Sequence, residues 1–162
     1  MQMNSLQDLF LHHMKDMYYA EKKILKSLPK MAEKAGEEQL RKAFQEHEKQ
    51  TQGQIKRLEQ VFQELGEKAG GDTCEAIDGI IEEAEDLMQD AKDEDTCDAG
   101  LISSAQAVEH YEIARYGTMA TWAKQLGMKE AEKLLHQNLE EEKNTDQKLT
   151  RLAEQRINRQ AA

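Results

Sequence analysis

Residues 102–126 read ISSAQAVEHYEIARYGTMATWAKQL, and one face of this stretch decides the architecture. Ile102, Ala105, Glu109, Glu112, Tyr116, Met119, Ala123 and Leu126 recur at alternating gaps of three and four residues. That spacing lines one side of an α-helix. Every member is apolar or aromatic except the two glutamates at its centre. An ionised carboxylate buried without a counter-charge loses roughly several kcal/mol of hydration. The pair therefore calls for protons, a basic partner such as Arg115 or Lys22, or metal ions.

Working outward, the same spacing marks three more long helices. A first, from about Ser5 to Ala35, turns Leu6, Phe10, Met14, Met17, Glu21, Ile24 or Leu25, Leu28 and Met31 inward. Its Ser5-x-x-Asp8 start is a capping-box variant, Gly36 ends it, and Pro29 predicts a kink or weakened turn. A second, about Glu37 to Leu65, presents Leu40, Phe44, His47, Thr51, Ile55, Leu58, Phe62 and Leu65, and stops at Gly66. The glycines at 70 and 71 then break the pattern before a shorter helix, about Thr73 to Ala91. The run Asp90–Asp98 reads as an acidic turn. The helix bearing the opening stripe spans about Asp98 to Leu126, and Gly127 stops it. The last, about Lys129 to Asn158, faces inward with Leu135, Leu139, Glu142, Asp146, Leu149 and Ala153.

Composition agrees with an all-α chain. The 162 residues suit one domain, 1–162, with a single proline, nine glycines, 5% aromatics and 33% charged residues. Long amphipathic helices have this profile; sheets do not. The net charge of −10 argues against nucleic acid or anionic membrane as a partner, since both select positive charge. No apolar run approaches the ~20 residues of a membrane span. The amino terminus lacks a secretory pattern, and Cys74 and Cys97 form no CxxC pair, so a reducing cytoplasm is the expected compartment.

Two helix pairs joined by tight glycine turns, with a long connection between them, predict a ferritin-like four-helix bundle with one long crossover containing the short fifth helix. A weak internal repeat supports the pairing. Glu48-Lys49-Gln50-Thr51 matches Glu142-Lys143-Asn144-Thr145, and Ile55, Arg57 and Leu58 correspond to Leu149, Arg151 and Leu152. In that topology Glu21 and Glu112 lie at similar depth, Glu109 is one turn away, and Glu142 and His47 come from the remaining helices. Carboxylates and imidazole on facing helices are the ligand set of dinuclear iron or manganese sites. Four carboxylates also balance two divalent cations.

Four segments, Asp16-Met-Tyr-Tyr-Ala-Glu21-Lys, His47-x-x-x-Thr51, Val108-Glu-His-Tyr-Glu-Ile-Ala114 and Leu139-Glu-Glu-Glu-Lys143, resemble the YciE/YciF-type ferritin-like stress proteins. The resemblance covers nearly the whole chain. It implies a bundle, often dimeric, with a dinuclear metal site related to that of rubrerythrins. Glu109-x-x-Glu112 resembles the third rubrerythrin helix in particular. The implied chemistry is Fe(II) oxidation or peroxide reduction. Glu21 and Glu112 would bridge, Glu109, Glu142 and His47 would be terminal, and an external electron donor would be needed because no CxxC…CxxC segment is present.

The chain departs from its relatives at Gln50, where members of the family commonly carry Glu. Ferritins and rubrerythrins have Glu-x-x-His on the second and fourth helices; here the equivalents are Glu48-x-x-Thr51 and Glu142-x-x-Thr145. One metal position is therefore expected to be weak. For the second helix, the resemblance favours His47 and the internal repeat favours Glu48, with His47 nearer the inner line. Asp146 reads equally as an extra ligand or a bridging group, and Tyr116 as a hydrogen-bond donor to the site. His12, His13, His110 and His136 carry no ligand pattern. The alternative to a metalloprotein is a non-catalytic dimeric helical scaffold with a vestigial site.

Overall fold

Ser5 opens the first helix as the spacing predicts: its hydroxyl accepts from the Asp8 amide at 3.1 Å, and Asp8 accepts from the Asn4 amide at 3.0 Å. The structure, a computed structural model, describes residues 3–162. Helix α1 then runs Leu6–Lys34 and continues through Pro29 without a break. Leu28 and Met31, buried on either side of the proline, pack that turn against the core. Helix α2 spans Glu38–Glu64, α3 Glu75–Asp90, α4 Glu94–Gln125 and α5 Lys129–Leu152. A five-residue π-helical turn, Ala153–Ile157, and a last helical turn, Asn158–Gln160, extend α5.

Hydrogen bonds between helix ends fix the topology. Asp98, near the start of α4, accepts from the amides of Gly36 at 2.9 Å and Glu37 at 2.7 Å in the α1–α2 turn. The Ala131 amide, at the start of α5, donates to Glu64 at the end of α2, at 2.8 Å. So α4 begins where α1 ends, α5 begins where α2 ends, and the four long helices run up, down, down and up. Helix α3 lies in the crossover, packed on α4 and α1. This is the four-helix bundle with one long crossover and a short fifth helix. Tight turns at Gly66 and Gly127 have φ of +70° and +74°, a conformation open to glycine at little cost.

One segment departs from expectation. The acidic run does not extend as a turn to Asp98: α4 begins at Glu94, with Asp93 accepting from the Thr96 amide at 2.8 Å as its N-cap. Negative charge at Glu94 and Asp95 suits the positive end of a helix dipole, so acidity here starts a helix. Asp98 lies inside it, buried, and accepts from the amides of the α1–α2 turn instead of lying in solvent. Gly36 follows the end of α1, but its φ is not in the left-handed region. What Gly36 avoids is a side chain that would collide with Glu94.

The core is a stack of residues from all four long helices, including Phe10, Phe44, Phe62, Leu101, Met119 and Leu135, each almost wholly buried. Of the stripe that opened the sequence reading, all but Leu126 are buried. The two glutamates lie as deep as the methionine and alanines beside them.

Candidate metal centre

Each long helix delivers its polar side chain to the core through its own apolar spacing. Glu21 lies among Met17, Ile24 and Leu28 on α1, and His47 between Phe44 and Thr51 on α2. Glu109 and Glu112 follow Ala105 on α4, and Glu142 follows Leu139 on α5. All five are buried, and Glu21, Glu112 and Glu142 have no exposed surface. Packing of the flanking hydrophobic groups carries these polar groups into the interior.

His47, Glu109, Glu112 and Glu142 can each offer one ligand atom such that all four atoms lie within 4.8 Å of one another. That span matches ligands around a single small cation, which bonds oxygen and nitrogen at about 2.0–2.2 Å. The His47 Nε2 is 3.0 Å from Glu109 Oε1 and 3.9 Å from Glu142 Oε2. Glu21 stands outside this group of four, on the Glu112 side, where Tyr116 donates its hydroxyl proton to Glu21 Oε1.

Polar satisfaction is poor here and nearly nowhere else. Both Glu112 oxygens, both His47 nitrogens, Glu21 Oε2, Glu109 Oε2, Glu142 Oε2 and Gln54 Oε1 are buried without an aligned hydrogen-bond partner. The other such side-chain atoms among the described residues are His13 Nδ1 and Ser27 Oγ. Buried polar atoms are normally paired, because each orphan costs about 1–3 kcal/mol. A concentration of orphans, carboxyl and amide oxygens together with an imidazole that offers a lone pair from one of its two nitrogens, fits hard or borderline cations.

The electrostatics follow. Burial, then repulsion from Glu142, pushes Glu21 up to about 8, against the Tyr116 hydrogen bond. Burial raises Glu109 to about 7. Glu112 goes well above the carboxylate range through burial and the charges of Glu142, Glu21 and Glu109. Burial and Glu109 do the same to Glu142, opposed by His47 and the Gln54 amide. Without cations, burial and mutual repulsion shift all four groups toward the protonated form.

Two surrounding groups were not singled out from sequence. Gln54 donates its amide to Glu142 and, at 3.2 Å, to Glu141. Arg57 donates to Asn138 and Glu141, tying α2 to α5 beside it. The signal for Gln54 was present: it lies seven residues beyond His47 and three beyond Thr51, on the same helical face. The other sequence candidates fall outside. Asp146 is half-buried and accepts from Gln106 at 3.0 Å, with His110 at 3.2 Å. It bridges at the rim. Gln50 is also only partly buried and accepts from Thr145 at 3.1 Å, and Glu48, partly buried as well, is not one of the four grouped residues.

Known proteins share this fold and much of this sequence. Protein YciF of Escherichia coli (strain K12) is 46% identical over 162 residues, 99% of this chain and 98% of that protein. The crystal structure of the E. coli stress protein YciF superposes with a TM-score of 0.92, covering 96% of this chain and 99% of that one. YcfI of Rhodopseudomonas palustris is 47% identical with a TM-score of 0.89, over 91% of this chain and 94% of its own. A Xanthomonas campestris protein with 19% identity and a TM-score of 0.73 shares the fold alone. Residues 5–162 match the family described as "Domain of unknown function (DUF892)", and the chain belongs to that family.

Proposed function

We propose that the protein binds two divalent cations, iron foremost and manganese as the alternative, in the Glu21–His47–Glu109–Glu112–Glu142 cluster, and that it serves in a stress response as a redox protein. The stress role rests on the description of YciF as a stress protein. The metal role rests on one observation: the unpartnered lone pairs of the buried core gather at one depth, contributed by four helices. Two iron ions held there would supply two electrons on passing from Fe(II) to Fe(III), enough with two protons to reduce one O₂ to H₂O₂ or one H₂O₂ to two waters.

The chain's own residues set the conditions. The carboxyl groups bind cations by exchanging protons for them, so charge is conserved in the dry interior. Tyr116 orients Glu21, and Gln54 orients Glu142. Reduction back to Fe(II) requires an external electron donor. Anaerobic Fe(II) titration tests the reading. Two equivalents bound, with loss of binding in Glu112→Ala, support it; no stoichiometric binding overturns it.

A second reading, a non-catalytic scaffold acting as a homodimer, is favoured by one contact. Thr145 donates to Gln50, a neutral pair at one position where the family resemblance implies Glu and another where ferritins and rubrerythrins carry His. On this reading chelation leaves the melting temperature unchanged, and the protein sediments as a dimer with or without metal.

A further inference from the structure

Beside the cluster, beneath the crossover helix, is a small pocket of about 20 Å³. Ile24 and Leu28 of α1, Ile81 and Ala84 of α3 and Ala105 of α4 form its walls, and the atoms facing the space are apolar. His47 and Glu109 close it at one end. Both ionisable residues that line it thus belong to the group of four that lies within 4.8 Å.

Size and surface together select an occupant. At about 20 Å³ the pocket is on the scale of a single small molecule. A water needs two to four polar partners, and an apolar cavity that cannot supply them stays dry while accepting neutral guests such as xenon. Four polar residues, Ser27, Ser104, His47 and Glu109, line it, but only apolar atoms face the space, so a guest there finds no hydrogen-bond partner. Hydrogen peroxide, with two hydroxyl groups to satisfy, is disfavoured for the same reason as water. Dioxygen is apolar, uncharged and small enough.

We propose that the pocket walled by Ile24, Leu28, Ile81, Ala84 and Ala105 is a docking site for one dioxygen molecule, held against the His47–Glu109 edge of the cluster. The crossover helix is its roof, so α3 has a role beyond returning the chain to the top of the bundle. The chemical purpose of the site rests on the metal reading above; its ability to hold an apolar guest does not. Such a pocket favours dioxygen over hydrogen peroxide, two oxidants that the cluster alone does not distinguish.

Xenon-pressurised crystals of metal-free protein test the binding. Xenon density between Ile81 and His47, lost in Ala84→Leu, is the expected result. Ordered water in the pocket, or xenon binding only elsewhere, overturns the proposal. Stopped-flow oxidation of the Fe(II)-loaded protein tests the purpose. Ala84→Leu should slow oxidation by dioxygen several-fold, leave oxidation by hydrogen peroxide unchanged and retain the Fe(II) stoichiometry. Ala105→Leu provides a second filled pocket from α4 should the first variant not fold. Equal rates with dioxygen in wild-type and filled variants overturn the proposal. Absence of Fe(II) binding with xenon still bound would instead count against the metal reading.

Discussion

Tyr116 of α4 donates its hydroxyl proton to Glu21 of α1 inside a core where neither side chain has any exposed surface. Burial, with the charges of Glu21 and Glu112, holds the Tyr116 phenol well above its usual range, so it stays a donor at neutral pH. It lowers the cost of charging Glu21, which burial otherwise raises. Tyr116→Phe leaves both Glu21 oxygens orphaned and should cost about 1–2 kcal/mol of stability. For a chain of this length that is a fall in melting temperature of about 3–8 °C. Calorimetry of metal-free Tyr116→Phe measures it, and an unchanged melting temperature would mean the hydrogen bond contributes nothing.

Proton occupancy gives a second test, with a definite sign. Glu21 and Glu109 are raised from 4.5 to about 8 and about 7 in the folded chain. Between those values the folded state holds more protons than the unfolded state. The stability they contribute is complete below pH 4.5 and is lost as pH rises through 7 and 8. The slope is about 1.4 kcal/mol per pH unit for each extra proton held. Asp8 and Asp93 are lowered from 3.8 by hydrogen bonds, so their contribution is present above that value and lost only in more acid solution. The two effects therefore occupy separate ranges. In chelator, melting temperature should fall from pH 4.5 to pH 8, and Glu21→Gln/Glu109→Gln should flatten the curve. A curve rising with pH over that range contradicts the protonated cluster.

Cations should reverse this trend. Metal binding replaces protons, so Fe(II) or Mn(II) affinity must rise with pH, and calorimetry in buffers of different ionisation enthalpy should show proton release. At a free concentration a hundred times the dissociation constant, the native state gains about 2.7 kcal/mol. That corresponds to a rise in melting temperature of about 5–10 °C, absent in Glu112→Ala. Binding without proton uptake or release would show that the carboxyl groups are already ionised.

How far the sequence revealed these contacts depends on their range. Helical periodicity is local, so Ile102 to Ala123 identified a buried face and the two glutamates in it without knowledge of any partner. The same holds for Glu21, His47 and Glu142. Contacts across helices are another matter. Gln54 occupies the His47 face, but an amide there gave no charge signal, and its target on α5 is set by the bundle's registry. Asp98 was hidden for a different reason. In a run of Asp90, Asp93, Glu94, Asp95 and Asp98, composition suggests a solvated turn, and only the approach of the α1–α2 turn shows which aspartate is buried.

Gln54 also separates support of the site from ligation. Its amide nitrogen donates to Glu142 and Glu141, while its oxygen is buried without a partner. Gln54→Leu keeps the volume and removes the donor to Glu142, which lowers the cost of charging that carboxyl. Metal affinity should therefore drop by about tenfold, within the range for losing a group that orients a ligand, with stoichiometry intact. Isothermal titration with Mn(II) under nitrogen decides it. Loss of one whole equivalent would make Gln54 a ligand, and wild-type affinity would make it a packing residue.

Asp98 supplies the stability counterpart, at the far end of the same helices. Its two oxygens take the amides of Gly36 and Glu37, and it is buried. Hydrogen bonds to a charged acceptor contribute about 1.5–3 kcal/mol. Asp98→Ala removes the acceptor for both amides and loosens the turn that sets α1 against α4. Asp98→Asn retains one acceptor oxygen but places an NH₂ group against an N–H donor, so it should recover little. Both variants should unfold at lower denaturant concentration than the wild type, by an amount equivalent to about 2–3 kcal/mol. Because the carboxylate cluster is built from the middle of the helices, metal stoichiometry should be unchanged in both. If Asp98→Ala instead abolished metal binding while remaining folded, the helix ends would have to control the registry of the centre, and the apolar faces alone would not be enough to hold Glu21 opposite Glu112.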